Sequence, residues 1–171
     1  RLLARLPGVP VVLDPVLAAE SGGSLAQGDL NEALMDRVAP QATVLTPNLP
    51  EAGQLSGETG VAEAGAALTR RCGRAVLVTG THDDPDQVAN HLFQGEHHRQ
   101  WEWPRLPEVY HGSGCSLASA IATGIAQGME LRDAVSRARE YVRRAIVAAP
   151  GFGRGHGPLD HTVTVRPLDD I

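Results

Sequence analysis

Thr43-Val44-Leu45-Thr46-Pro47-Asn48-Leu49-Pro50-Glu51-Ala52 is a short apolar run stopped by proline and followed at once by a helix start. Thr43–Thr46 reads as a strand buried on both faces, and residues 50–55 as a short helix. The same alternation stands on either side of it. Upstream, Val11-Val12-Leu13 ends at Asp14-Pro15, and Leu30, Leu34 and Val38 then recur at helical spacing. Downstream, an Ala-rich helix over 61–71 leads to Ala75-Val76-Leu77-Val78-Thr79, closed by Gly80. A βαβαβ series of this kind predicts a parallel sheet with helices on both faces.

The pattern then changes. Residues 88–93 and 99–103 flank Gln94-Gly95-Glu96, which predicts an antiparallel hairpin at one sheet edge. After Gly112-Ser113-Gly114 a helical period runs through Leu117, Ile121 and Ile125 to Gly128. A longer helix follows, with Leu131, Ala134, Val135, Ala138, Val142, Ala145 and Ile146 as its apolar stripe and Arg132, Arg139, Arg143 and Arg144 on the rest. Residues 151–158 read as a glycine-rich loop and 162–165 as a last short strand. No repeat or domain boundary stands out, so the whole of 1–171 is expected to be a single α/β domain with a doubly wound, mostly parallel sheet.

The chain has 171 residues, 42% hydrophobic and 20% charged, enough to bury one substantial core and too apolar for disorder. Its formal charge of −5 argues against nucleic acid as the main partner, which wants a basic face. No apolar run approaches the roughly 20 residues of a membrane span. Cys72 and Cys115 lie far apart in unlike contexts, so a disulfide framework is not expected and a reducing cytoplasm is the default. The chain starts at Arg1, and residues 1–6 read as the tail of a helix entering Pro7-Gly8. A fragment, a processed product or the ordered part of something longer is expected.

Open parallel sheets bind ligands at the carboxyl ends of their strands. That rule selects Asp14, then Asn48 and Glu51, then Thr79-Gly80-Thr81-His82, together with the helix start at Gly112-Ser113-Gly114-Cys115. Small residues ahead of a helix let backbone N–H groups converge where the dipole favours an anion, a phosphate or a developing transition-state charge. Cys115 in that position is a candidate base or anion-facing group, since a helix N-terminus lowers a thiol pKa. The alternative is a glycine turn followed by a structural cysteine. Asp14, Asn48 and Glu51 are hard oxygen donors suited to Mg²⁺ and its waters. Singly, each has a plainer reading, Asp14 as a turn before Pro15 and Glu51 as a first-turn cap. His82, His91, His97, His98, His111, His156 and His161 match no zinc spacing and read as solvent-exposed. Trp101 and Trp103 share one strand face and are expected to cover the sheet.

Asp14-Pro15-Val16, Thr46-Pro47-Asn48-Leu49-Pro50-Glu51-Ala52, the strand into Thr79-Gly80-Thr81-His82, His111-Gly112-Ser113-Gly114-Cys115 and Gly155-His156-Gly157-Pro158 follow one another in an order that resembles the hydroxymethylpyrimidine/phosphomethylpyrimidine kinases of thiamine biosynthesis, in the ribokinase superfamily. The resemblance covers essentially the whole chain and begins after the family's N-terminal portion, which carries the first strands and the residues that recognise the ring. It implies a ribokinase-like fold and transfer of the ATP γ-phosphate, with Mg²⁺, to the hydroxymethyl group of the pyrimidine and then to its monophosphate. By motif position it implies that Gly112, Ser113, Gly114 and Cys115 form the anion hole, with Cys115 where a base acts. Asp14, Asn48 and Glu51 would organise Mg²⁺ and the phosphates, directly or through water, and Thr79, Gly80, Gly155, His156 and Gly157 would border the nucleotide. Many members carry lysine where Thr79 stands, so one positive contact to the phosphates is absent at that position. The resemblance also implies dimers, for which the Ala- and Val-rich helix 131–146 offers a surface.

Three other readings compete. A pyridoxal kinase acts on a similar hydroxymethyl ring. An inactive nucleotide-binding fragment would bind ATP without turnover. A cysteine hydrolase would use Cys115 with a histidine and would not depend on Mg²⁺.

Overall fold

The computed structural model describes residues 3–17, 30–81, 86–106, 110–152 and 157–163. The chain divides into two compact units, Arg1–Arg105 and Leu106–Ile171.

In the first unit, β1 (Val12–Leu13), β2 (Val44–Leu45) and β3 (Ala75–Thr81) run parallel, with Val12 beside Val44 and Val44 beside Ala75. β4 (Gln87–Gln94) and β5 (His97–Pro104) continue the sheet antiparallel, in the order β1-β2-β3-β4-β5. The result is a mixed sheet flanked by helices, with the expected hairpin at one edge. Its two-residue turn has Gly95 at φ +60 in the first central position, the arrangement that matches strand twist. On β5, the Arg99 guanidinium lies 5.1 Å from the centre of the half-buried Trp101 ring.

The connection between β1 and β2 is α1 (Leu30–Ala33), running without a break into a π-helical turn over Leu34–Val38. The next connection is α2 (Leu49–Ser56) followed by α3 (Val61–Cys72). Right-handed crossovers stepping in one direction along the sheet put these helices on a common face. There Met35, Leu55, Leu68, Leu45, Val76, Val78 and Phe93 form one buried cluster. Val44 and Leu77, which alternate to the opposite face, are buried as well, as strands of continuous apolar sequence require. α3 reaches the sheet closely at Gly65, where a Cβ would stand 2.2 Å from the Phe93 ring.

In the second unit, α4 (Ser113–Ala126) and α5 (Leu131–Val147) pack against each other so tightly that a Cβ on Gly124 would meet that of Ala134 at 2.9 Å. β6 (Tyr110–His111) lies parallel to β7 (Gly157–Pro158). Three expectations are corrected here. Arg139 does not belong to the polar face of α5; it is 6% exposed and lies in the buried stripe with Val135, Ala138 and Val142. Residues 157–158 form a strand rather than continuing the loop. Thr162 and Val163 are not in a strand, because the Asp160 carboxylate accepts both the Thr162 N–H (2.8 Å) and its hydroxyl (2.7 Å), which makes a turn. Residues 164 and 165, like His82, Gly155 and His156, lie outside the described residues.

Candidate active site

The proposed functional residues fall into two groups, one in each unit. In the first, the carboxyl ends of β1, β2 and β3 bring Asp14, Asn48, Glu51, Thr79 and Gly80 to one end of the sheet. Thr46, just past β2, donates its N–H to Leu13 O (2.9 Å) and its hydroxyl to Asp14 Oδ1 (3.2 Å), so the second strand end orients the carboxylate of the first. Thr46 is 4% exposed, and sequence reasoning placed it in the motif without giving it a role.

Asn48 starts α2 as a reciprocal cap. The Glu51 N–H donates to Asn48 Oδ1 (2.8 Å), and the Asn48 N–H donates to Glu51 Oε2 (2.9 Å). Glu51 Oε1 also accepts the Leu17 N–H at 3.4 Å, which ties the segment after β1 to the helix start. Burial pushes the Glu51 carboxyl above its ordinary pKa and the negative charge of Asp14 adds to the rise, while the two backbone donors act against it. Two carboxylates that disfavour each other's charge at a strand-end cluster form a donor set that a hard divalent cation relieves. Asn48 and Glu51 are alike engaged locally, Asn48 Oδ1 by the Glu51 N–H and the two Glu51 oxygens by the Asn48 and Leu17 N–H groups.

Thr79 continues this end of the sheet. Its N–H donates to Pro47 O (2.9 Å), forming a parallel bridge with Asn48. Gly80 follows in the left-handed region, with φ +61.

In the second unit, Gly112 takes φ +85 and precedes α4 with no side-chain cap. The N–H groups of Ser113, Gly114 and Cys115 belong to the first turn, where no earlier helical carbonyl is available. The Ser116 hydroxyl and N–H both donate to Gly112 O (2.7 and 3.0 Å), which fixes the turn from inside the helix. Gly114 and Cys115 are exposed. Cys115 also lines an open cavity of about 630 Å³ whose walls include Ser119, Thr123, Arg137, Tyr141 and His161, with the Tyr141 hydroxyl 2.8 Å from His161 Nδ1. Gly157 pairs with Tyr110, two residues before Gly112, so the β6–β7 pair brings it beside the turn.

Among the described residues no group of three or more His, Cys, Asp or Glu side chains gathers as a metal centre. His91 departs from the expectation of exposed histidines. It is buried on β4, with Nδ1 3.1 Å from Nε2 of the exposed His98.

The family described as phosphomethylpyrimidine kinase matches residues 1–160. The chain belongs to that family. Among the relatives of this phosphomethylpyrimidine kinase family member, the thiamine biosynthesis bifunctional protein ThiED of Geobacter sulfurreducens is 40% identical over 166 residues, covering 94% of this chain and 34% of that protein. A hydroxymethylpyrimidine/phosphomethylpyrimidine kinase of Staphylococcus aureus is 34% identical over 178 residues, covering 98% of this chain and 64% of the relative. The chain thus spans from about a third to just under two thirds of the length of these relatives. The pyridoxal kinase of Staphylococcus aureus, solved in complex with ADP, superposes with a TM-score of 0.78 at 30% identity, over 89% of this chain and 58% of that one. The same kinase has been solved with pyridoxal. The fold is therefore ribokinase-like, of the pyridoxal kinase kind.

Proposed function

We propose that this chain serves ATP- and Mg²⁺-dependent phosphorylation of the hydroxymethyl group of 4-amino-5-hydroxymethyl-2-methylpyrimidine, and then of its monophosphate, in thiamine biosynthesis. Both units then belong to one ribokinase-like domain. The observation that carries the reading is the strand-end cluster in which Thr46 orients Asp14 and the Asn48–Glu51 cap holds a second carboxylate near it. The relative named as a hydroxymethylpyrimidine/phosphomethylpyrimidine kinase and the one named for thiamine biosynthesis support it.

Asp14, Asn48 and Glu51 would organise Mg²⁺ and the phosphates, directly or through water, with the reciprocal cap fixing Asn48 and Glu51 against each other. When bound, Mg²⁺ screens the charge of the phosphates. The chain's own residues do the rest. Backbone N–H groups of Ser113, Gly114 and Cys115 bind the oxygens on which charge develops, and Gly112 and Gly114 keep that surface free of side chains. Cys115 takes the proton of the attacking hydroxymethyl group. Thr79, Gly80, Gly155, His156 and Gly157 border the nucleotide. No helix among the described residues is long and apolar enough to cross a membrane. Cys72 and Cys115 are not joined in a disulfide, and the proposal places the chain in a reducing cytoplasm. A homodimer completes the proposal.

The test is Mg²⁺-dependent ADP release with hydroxymethylpyrimidine, its monophosphate and pyridoxal offered separately. Turnover on the first two is expected. Turnover on pyridoxal alone would establish the second reading, pyridoxal kinase, which the pyridoxal-bound neighbour favours. ADP binding without turnover on any of the three would point to an inactive nucleotide-binding fragment.

The metal assignment makes a separate prediction. The folded pKa of Glu51 is raised, so its favourable contribution to stability is fully present below the unfolded carboxyl pKa and is lost as pH rises through the folded value. Above that value the ionised carboxylate is held at a cost, which a divalent cation offsets. Added MgCl₂ should raise the melting temperature more at neutral than at mildly acidic pH, and Glu51→Gln should abolish the difference. Equal gains at both pH values, or in the variant, would remove Glu51 from the metal site.

A further inference from the structure

Asn90 is a polar side chain, 4% exposed, in the middle of β4 between Ala89 and the buried run His91-Leu92-Phe93. Asparagine is depleted in strands, so a buried one needs a reason. The reason lies across the ladder. β3 and β4 pair normally at Val76–Phe93, Leu77–Leu92 and Val78–His91, and the next pair is Thr81–Ala89. Thr79 and Gly80 therefore stand opposite Asn90 alone, a bulge with one residue too many on β3. At the bulge the Gly80 N–H donates to a side chain, Asn90 Oδ1, at 3.1 Å.

The bulge is thus held from two sides, by Pro47 O on the Thr79 N–H and by Asn90 on the Gly80 N–H. Gly80 takes φ +61 there, and bulges next to sites re-aim the chain toward a ligand. We propose that Asn90 is a positioning residue for nucleotide binding: it fixes the bulge that presents Thr79 and Gly80 to the nucleotide. This rests on the reading above that Thr79 and Gly80 border the nucleotide.

The test is calorimetric titration of the chain with ADP, alongside amide hydrogen exchange at Gly80 and a thermal melt to show that each variant is folded. Asn90→Val supplies a good strand former with no acceptor, and should weaken ADP binding by about tenfold, the scale of one lost hydrogen bond. It should also speed exchange at Gly80. Asn90→Asp keeps an acceptor at the same reach and should restore both. Unchanged ADP affinity in Asn90→Val, with faster Gly80 exchange, would overturn the positioning role while leaving the nucleotide reading intact. A wild-type chain that does not bind ADP would overturn that reading and this proposal with it. Should Asn90→Val fail to fold, Gly80 exchange in the wild type decides: protection that rises on adding ADP supports the proposal, and protection indifferent to ADP overturns it.

Discussion

Replacing Cys115 with alanine is expected to lower turnover by about 10²–10⁴-fold, the usual contribution of a positioned base, while ADP affinity stays nearly constant. The two effects separate because they rest on different atoms. In the proposed anion site the donors are main-chain N–H groups of the first turn of α4, and alanine keeps them all. Alanine also suits a helix better than cysteine, and Cys115 is exposed, so the substitution opens no cavity in the core. Measuring kcat beside the ADP dissociation constant decides the matter. If affinity collapsed while turnover per bound nucleotide held, the side chain would be a binding group and not the base. If hydrolysis without Mg²⁺ appeared in the wild type and vanished in the variant, the cysteine hydrolase reading would replace the kinase.

Gly65→Val is expected to destabilise the first unit by about 2–3 kcal/mol, at the upper end of the range for overpacked cores. Valine has a higher helix propensity than glycine, by a few tenths of a kcal/mol, and this pulls the other way. The contact decides against it: a Cβ at this position comes within 2.2–2.6 Å of three Phe93 ring carbons, well inside van der Waals contact. Swinging the ring aside disturbs the core, because Phe93 is 7% exposed within the buried cluster and stacks on His98 with centroids 4.6 Å apart. Urea denaturation should show the loss as a lower midpoint with an unchanged slope. Phe93→Leu in the Gly65→Val background should recover part of it, a non-additivity expected only of residues in contact. Strictly additive effects would mean that the helix meets the sheet elsewhere.

Most of the framework was legible in the sequence, because strands buried on both faces appear as unbroken apolar runs and proline or glycine marks their ends. Residues 43–46 and 75–79 announced β2 and β3 in this way. What escaped depends on geometry that one-dimensional patterns do not carry. The strands β6 (Tyr110–His111) and β7 (Gly157–Pro158) lack the apolar runs that mark β1 and β2, and exist only because distant segments meet. Arg139 was assigned to the outer face of α5 by its charge, yet its position between Ala138 and Val142 puts it on the inner stripe, and position prevailed. Asp14, Asn48 and Glu51 were proposed from strand ends and motif order, and the structure brings them to one end of the sheet. The plainer reading of Glu51, a first-turn cap, is what the structure shows, with Asn48 as the reciprocal partner that the sequence reading left out of the cap. Thr46 and Asn90 act through hydrogen bonds to other residues, one to a carboxylate and one to a bulged N–H, and no residue-type pattern marks such roles.

The β6–β7 pair has a consequence for how the second unit comes together. α4 and α5 are neighbours in sequence and can pack soon after they form, whereas joining Tyr110 to Gly157 must close a loop around both of them. The entropy of that closure is offset by the ladder bonds and by the contacts that follow them, since Leu159 is buried and the Asp160 N–H donates to Ala145 O on α5 at 3.0 Å. The turn at Gly112 lies at the seam. A phosphate seated on its N–H groups would act as a clasp, one more tie beside those the chain itself makes there.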